Sequence, residues 1–357
     1  MRTIKSQDHD YTVEEFSSLA GVLRAVSTPD RAFWLIDEAI TEKHAQPVSA
    51  NTDPARTVRI RASEEQKSLE ALAPVFIALL ERGIKRDGVL AVVGGGVLQD
   101  IGCFIATVLF RGLHWKLIPT TLLAQADSCI GSKSSINIGS YKNQIGSFYP
   151  PRRVLITGSV LATLPWDEIR SGLGEVLKLQ LLNNEAGFNE LLADLKTFTP
   201  ENRDPTLLSK WVSRSMDVKQ PYIEQDEFDR GIRNILNYGH TFGHAYESAT
   251  HYGIPHGVGV VLGMLTATYL SARLNLVPAS HYADLKNSLR SWHEPFGQIL
   301  KRADKQAVFQ AIKHDKKNTG DAINCILTRG FGRMEKQKVR LQEDIVPAVT
   351  NFIDNEI

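Results

Sequence analysis

The stretch Val89-Leu-Ala-Val-Val-Gly-Gly-Gly96 sets the architecture. A run of five apolar residues closed by a glycine triplet is short for a helix and suits a strand buried on both faces. Val97 to Leu109 continues with helical periodicity, so strand, glycine turn and helix follow one another directly. The same alternation spreads to both sides. Ala32-Phe-Trp-Leu-Ile-Asp37 reads as a buried strand ending in an acid. Glu64 to Gly83 is helical, with Leu69, Leu72, Val75, Phe76, Leu79 and Leu80 on one side. Trp115-Lys-Leu-Ile-Pro119 is another strand, and Arg153-Val-Leu-Ile-Thr157 follows a Tyr149-Pro-Pro-Arg-Arg turn. Strands alternating with helices imply βαβ units and a parallel sheet. Past Leu164-Pro165 strand-like runs nearly vanish, and helical patterns cover 167–184, 186–196, 206–222, 231–249, 256–275, 279–294 and 304–314. The expected fold class is α/β, with a parallel-sheet domain over 1–166 and a mostly α-helical domain over 167–357.

A chain of 357 residues, 43% hydrophobic and 23% charged, has the make-up of a two-domain globular enzyme. A net charge of +1 gives no case for nucleic acid or an anionic membrane surface. Cys103, Cys129 and Cys325 are far apart and odd in number, which fits a reducing, cytoplasmic compartment better than a disulfide framework or a cysteine zinc site. Met1 to Asp10 lacks the apolar core of a signal peptide. No window approaches the roughly 18 apolar residues of a membrane span.

Three segments carry chemistry. Glycines at 94–96, between a strand and a helix, let the backbone approach a pyrophosphate at a helix N-terminus, although a plain tight turn would use them equally well. Asp100 and Asp37 could accept ribose hydroxyls or serve as ordinary helix-face and capping acids. The segment from Ile118 to Lys133, with Arg111 before it and Asn137, Lys142 and Asn143 after it, offers cationic and amide donors for a phosphate in an otherwise small and apolar loop. The third segment is Asn237-Tyr-Gly-His240-Thr-Phe-Gly-His244 with Pro255-His256-Gly257. Its histidines at i and i+4 share one helical face, and upstream Glu175 and Lys178 stand one helical turn apart. A single histidine is commonly a satisfied core or surface residue. Three imidazoles with a carboxylate suit a divalent metal, and three protein ligands with one open position is the catalytic zinc pattern.

Taken in order, Gly94-Gly-Gly-Val97-x-x-Asp100, Arg111-Gly, Pro119-Thr-Thr-Leu-Leu-Ala-Gln-x-Asp127-Ser, Lys142-Asn-x-Ile-Gly146, Gly174-Glu175-Val-x-Lys178, Arg233-x-x-Leu-Asn237-x-Gly-His240-Thr-Phe-Gly-His244 and Asp315-Lys-Lys317 resemble 3-dehydroquinate synthase and its relatives, the sugar phosphate cyclases. The resemblance spans roughly residues 32–335; the NAD-linked, metal-dependent polyol dehydrogenases are a more distant likeness. It implies an N-terminal NAD-binding domain and a helical metal-binding domain. It implies zinc, or cobalt in its place, on Glu175, His240 and His256, and an NAD site of Asp37, Glu64, Lys67, Gly95, Gly96, Val97, Asp100, Thr120, Thr121, Lys142, Thr163 and Glu168. Lys133, Asn143, Asn237 and His244 would surround the substrate phosphate, and Arg111 would reach it from the neighbouring subunit of a homodimer. Asp127 and Lys178 would meet substrate hydroxyls, Lys219 and Arg233 the substrate carboxylate, and Lys316 or Lys317 would add a further contact. The implied reaction is a lyase-type cyclisation: transient oxidation of a ring alcohol by NAD, phosphate elimination, return of the hydride and closure of a carbocycle.

This chain departs from the family pattern at named places. His256-Gly-Val258-Gly replaces the usual His-Gly-Glu-Ala, so an acid beside the metal is expected to be missing. Gly131-Ser132-Lys133-Ser-Ser-Ile-Asn137 replaces Gly-Gly-Lys-Thr-Gly-Val-Asn, Ile138-Gly139 replaces His-Pro, and Gln99 stands where glycine is common. These changes suggest a specialised pathway rather than the housekeeping shikimate route. The leading expectation is a cyclase of a seven-carbon sugar acid phosphate. The alternatives are a cyclase of sedoheptulose 7-phosphate, glucose 6-phosphate or an amino analogue, then a polyol dehydrogenase.

Overall fold

The computed structural model describes residues 1–26, 31–139, 141–313 and 322–357; Asp315, Lys316 and Lys317 lie outside the described residues. The chain divides into two compact units, Met1–Pro165 with Asp204–Asp229, and Trp166–Arg203 with Arg230–Ile357. The segment 204–229, placed by the sequence reading with the helical half, thus groups with the first unit.

The first unit is built on seven strands: β1 (Arg2–Ile4), β2 (Tyr11–Glu15), β3 (Ala32–Asp37), β4 (Thr57–Ile60), β5 (Val89–Gly94), β6 (His114–Pro119) and, after an antiparallel hairpin of β7 (Lys133–Ile138) and β8 (Tyr141–Phe148), β9 (Arg153–Ile156). Their order is β1-β2-β9-β6-β5-β3-β4, and every pairing except β1–β2 is parallel. The central strands carry the continuous apolar runs. Leu35, Ile36, Leu90 to Val93, Leu117, Ile118, Val154 and Leu155 lose all exposure, each large side chain contributing about 1.5–3 kcal/mol by burial. The strands missed by sequence have physical reasons to be quiet. β1 has three residues, and β2 reads Tyr-Thr-Val-Glu-Glu with its polar side half in water. The helices before the domain change are α1 (Leu19–Ala25), α2 (Glu38–Lys43), α3 (Ala45–Asn51), α4 (Leu69–Glu81) and α5 (Gly96–Val108). At Gly102 a β-carbon would lie 2.4 Å from Val92 Cγ2, so α5 rests on β5 through a glycine. The stretch read as a loop after β6 is instead a short helical turn, Ala124–Ser128, followed by the β7–β8 hairpin.

The chain continues with α6 (Trp166–Asn183) and α7 (Glu185–Leu195), contributes α8 (Pro205–Gln225) to the first unit, and completes the second with α9 (His240–Ala249), α10 (His256–Arg273), α11 (Ala279–Ser288), α12 (Arg290–Lys301), α13 (Lys305–Lys313) and α14 (Val346–Asn351). The pattern over 231–249 is broken. A 3₁₀ turn spans Ile232–Asn237, and Gly239 at φ +81 opens α9. The second unit also holds a hairpin, β10 (Ala322–Thr328) with β11 (Met334–Arg340). β11 reads Met-Glu-Lys-Gln-Lys-Val-Arg, too polar to announce itself as a strand. No helix among the described residues is long and apolar enough to cross a membrane.

Candidate active site

In the second unit α6, α9 and α10 bring four chemistry-bearing side chains to one point. Glu175 Oε1 lies 3.3 Å from His240 Nε2 and 3.0 Å from His256 Nε2. Ligands about 2.0–2.1 Å from a tetrahedral zinc are about 3.3 Å from one another, so each of the two imidazole nitrogens already stands at edge spacing from the carboxylate oxygen. The His244 ring centre is 5.2 Å from that of His240 and 5.6 Å from that of His256. The ligand atoms of the three histidines lie within 4.8 Å of one another, so His244 borders the same space.

Glycines beside the ligands make this convergence possible. A β-carbon at Gly174, next to Glu175, would lie 2.2 Å from the carbonyl oxygen of Gly257, next to His256. A β-carbon at Gly263 would lie 1.9 Å from the carbonyl oxygen of Gly239, next to His240. The backbones of α6, α9 and α10 therefore approach within distances no side chain would allow, and the carboxylate and imidazoles meet as a result.

The charges around the cluster favour a cation. Lys178 Nζ sits 2.5 Å from Glu175 Oε2, with both side chains buried. Burial works to raise the Glu175 pKa, but Lys178 and His240 hold it well below the usual carboxylate range. Burial and the Lys178 ammonium lower the His240 pKa. Burial also works to lower His256, yet Glu247 and Glu175 outweigh it and raise the pKa to about 10. Two carboxylates face one lysine and His256, which is held as imidazolium in the metal-free site; a divalent ion binding there would displace that proton and take over its charge.

Glu247 corrects the expectation that His256 lacks an acid behind it. Val258 is indeed buried and apolar, but His256 Nδ1 meets Glu247 Oε1 at 3.0 Å from the neighbouring helix. A signal for Glu247 was present in the spacing, since 240, 244 and 247 share one face of a helix. In the same unit Arg233 is buried, Asn237 Nδ2 donates to the Asn234 carbonyl at 3.1 Å, and Glu168 occupies the first turn of α6.

In the first unit the proposed NAD residues form three groups. Gly95 precedes α5, and no side chain caps that helix N-terminus, whose first turn includes Gly96 and Val97. A β-carbon at Gly95 would lie 2.8 Å from Thr121 Cγ2, and the Thr120 amide donates to the Gly94 carbonyl at 3.0 Å. Free amides against a glycine backbone suit a pyrophosphate. The second group surrounds the buried Lys67, whose ammonium reaches Asp100 Oδ2 at 3.2 Å, Asn143 Oδ1 at 2.9 Å and Glu64 Oε1 at 3.6 Å. Lys142 lies 3.9 Å from the same Glu64 oxygen. Burial pushes the Asp100 carboxyl up and Lys67 opposes it. Asn143, assigned by sequence to the phosphate, thus sits among the cofactor candidates. The third group borders α2: Asp37 accepts from the Ala39 amide at 3.1 Å, and Thr163 Oγ1 lies 3.0 Å from His44 Nε2. Burial raises the Asp37 pKa.

The remaining candidates have counter-charges that sequence spacing did not reveal. Lys133 pairs with Asp229 at 2.8 Å, and Lys219 Nζ lies 2.7 Å from Asp127 Oδ1. Ser132, in the place of a usual glycine, keeps φ at +57, and its hydroxyl donates to the buried Glu227 at 2.7 Å. Glu227 also accepts from Ser6 Oγ and the Gln7 amide, each at 2.7 Å. Gln99 is likewise accounted for. Its amide donates to the Ser128 carbonyl at 2.6 Å and its oxygen accepts from Ser128 Oγ at 2.9 Å, tying α5 to the turn that carries Asp127. Arg111 is exposed and follows Phe110, both with positive φ, at 63° and 55°. Such conformations cost of order 1–3 kcal/mol each and concentrate at functional sites.

Comparison with known proteins covers both halves of the chain. Residues 57–171 match the family model for the 3-dehydroquinate synthase N-terminal region and residues 172–318 that for its C-terminal region. A 3-dehydroquinate synthase of Enterococcus faecalis is 32% identical over 338 residues, 93% of each chain. Among solved structures, 2-epi-5-epi-valiolone synthase from Streptomyces hygroscopicus with NAD+ and Zn2+ bound matches with a TM-score of 0.83 at 22% identity over 100% of each chain. A 2-deoxy-scyllo-inosose synthase complexed with carbaglucose-6-phosphate, NAD+ and Co2+ matches at 0.82 and 23% identity, over 99% of this chain and 98% of the other. At these identities the structures speak for the fold, whereas the family models and the curated relative speak for descent: this chain belongs to the 3-dehydroquinate synthase family.

Proposed function

We propose that this protein is a carbon–oxygen lyase that cyclises a seven-carbon sugar acid phosphate of the 3-deoxy-arabino-heptulosonate 7-phosphate type to a carbocycle such as 3-dehydroquinate, with loss of phosphate. Its resident cofactors in this reading are NAD and zinc, with cobalt able to replace zinc. The observation that carries it is the meeting of Glu175 Oε1 with His240 Nε2 and His256 Nε2 at 3.3 and 3.0 Å, at zinc-edge spacing, in a chain of this family.

Zinc, when bound, supplies a Lewis acid, and NAD+ a reversible hydride acceptor. The chain's own residues do the rest. Lys178 engages Glu175 Oε2 and so leaves Oε1 to the metal. His244 is left beside the cluster to hold or move a proton at its ring nitrogen. Gly95, Gly96 and the first turn of α5 receive the pyrophosphate of NAD, and Lys67 and Asp100 orient the rest of the nucleotide. In the first unit Lys133 is the candidate for the substrate phosphate, while Asn143 stands with Lys67 and Ser135; in the second unit the candidates are Asn237 and His244. Lys133 exchanges its partner Asp229 for that phosphate, which its half-exposed position permits. Arg111 serves the site of a second copy in a homodimer, in keeping with its exposure and strained backbone.

A second reading, a cyclase of a neutral sugar phosphate such as sedoheptulose 7-phosphate or glucose 6-phosphate, is favoured by one observation. Lys219 already has Asp127 as its counter-charge, which lessens the need for a substrate carboxylate. Phosphate release from both substrate types, with wild type and Arg233→Ala, separates the two. The acid reading expects turnover of the acid and a fall of about 10- to 100-fold in kcat/KM for Arg233→Ala, the loss of one charged hydrogen bond. Turnover of the neutral sugar alone would hand the assignment to the second reading. Accumulation of NADH in step with product would replace both with a dehydrogenase.

A further inference from the structure

We infer that Glu247 is the positioning residue for His256, and that Gly259 is small in order to admit it. The inference rests on the metal-site reading above. His256 opens α10 with both ring nitrogens engaged: Nε2 faces Glu175 Oε1 at 3.0 Å and Nδ1 faces Glu247 Oε1 at 3.0 Å. An imidazole that offers Nε2 to a metal must carry its proton on Nδ1. A carboxylate on that side accepts the proton's hydrogen bond, fixes the tautomer and holds the ring plane. Glu247 is buried on α9, so it is not a chance surface contact. The same helical face begins with His240, so one face of α9 supplies a ligand and the support of another ligand.

The room for this arrangement comes from α10. A β-carbon at position 259 would lie 3.0 Å from both Cγ and Oε1 of Glu247 and 3.3 Å from the Gly243 carbonyl oxygen. A β-carbon there would press on the Glu247 carboxylate and shift it by a few tenths of an ångström from its place beside His256. The family's usual Glu-Ala after the Gly that follows this histidine is Val258-Gly259 here. Val258 is buried and cannot bond the ring, while Gly259 leaves Glu247 its place.

The test is zinc affinity, measured on the full chain by competition with a chromophoric chelator, alongside the melting temperature of the metal-free protein. Wild type should hold zinc stoichiometrically. Glu247→Ala should weaken zinc binding about 10- to 100-fold, the usual cost of losing such a partner. Glu247→Gln, which keeps an acceptor for Nδ1–H, should recover part of that loss, and Gly259→Ala should weaken zinc with Glu247 still present. Zinc binding of wild-type strength in Glu247→Ala and Gly259→Ala would overturn the inference and leave the metal site standing. Equal losses in the Gln and Ala variants, with a parallel fall in metal-free melting temperature, would overturn it in favour of simple packing. A wild type that holds no zinc would overturn both this inference and the reading beneath it.

Discussion

Replacing Gly174 by alanine tests whether backbone contact builds the metal site. The new β-carbon would stand 2.2 Å from the Gly257 carbonyl oxygen, 2.5 Å from its carbon and 2.7 Å from its Cα. All three are backbone atoms, so no side chain can swing aside. Reaching an ordinary contact requires α6 and α10 to part locally by about 1 Å, an overpacking that costs about 1–3 kcal/mol. For a domain of about 150–250 residues each kcal/mol is worth about 2–4 °C, so melting should fall by roughly 2–12 °C. The geometric effect is larger than the energetic one. Glu175 and His256 are the chain neighbours of the two glycines, and their 3.0 Å separation would widen by a similar amount, where metal sites tolerate about 0.2 Å. Zinc affinity should therefore drop by at least about tenfold, the lower end of what loosened ligand orientation costs. Differential scanning fluorimetry and chelator competition on the same preparation give both values. A Gly174→Ala protein that melts and binds zinc like wild type would refute the claim that this contact sets the ligands.

Four further outcomes are expected. Glu14 accepts from Arg153 Nε at 2.8 Å and Nη2 at 2.6 Å, and this pairing holds its pKa below the ordinary 4.5 against the opposing effect of burial. Because the folded-state pKa is depressed, this stabilisation is present above about pH 4.5 and fades as pH falls below it; Glu14→Gln should be less stable by up to about 1 kcal/mol at pH 7, with the gap closing in acid. Ser132→Ala keeps a side chain at φ +57 and loses the bond to Glu227, whereas Ser132→Gly loses the bond but relieves the backbone, so urea denaturation should find alanine the worse by about 1 kcal/mol. Lys67→Ala should weaken NAD+ binding by about tenfold or more in calorimetry, since it leaves Asp100 and Glu64 without their shared cation. Mixing inactive Arg111→Ala with inactive Lys178→Ala should restore some activity through heterodimers, and no recovery despite proven subunit exchange would place Arg111 outside a neighbour's site.

The sequence made legible what depends on local pattern. Ala32–Asp37 and Val89–Gly94 were readable because a strand buried on both faces is apolar without interruption. β11 was not, because a strand wetted on one side can read as a run of lysine, glutamine and glutamate. His240, His244 and His256 were conspicuous by residue type and spacing. Glu247 shares the helical face of His240 and His244 but does not stand out by residue type, because a glutamate on a helix normally faces solvent; the crossing of α9 and α10 at Gly259 turns it inward. Lys133–Asp229 and Lys219–Asp127 join residues 96 and 92 positions apart, and no periodicity connects such pairs. Glycines 174, 257 and 263 each cost a helix about 1 kcal/mol, yet they admit the backbone approach that the site requires.

The central claim is a cyclisation that regenerates its NAD, and one reaction tests it: zinc-loaded protein with a catalytic amount of NAD+ and 3-deoxy-arabino-heptulosonate 7-phosphate, with inorganic phosphate and nicotinamide absorbance followed together. Phosphate should be released continuously over many turnovers per NAD+, with no net NADH. NADH rising one-for-one with product, or no phosphate from this acid while a neutral sugar phosphate yields it, would contradict cyclisation of the sugar acid.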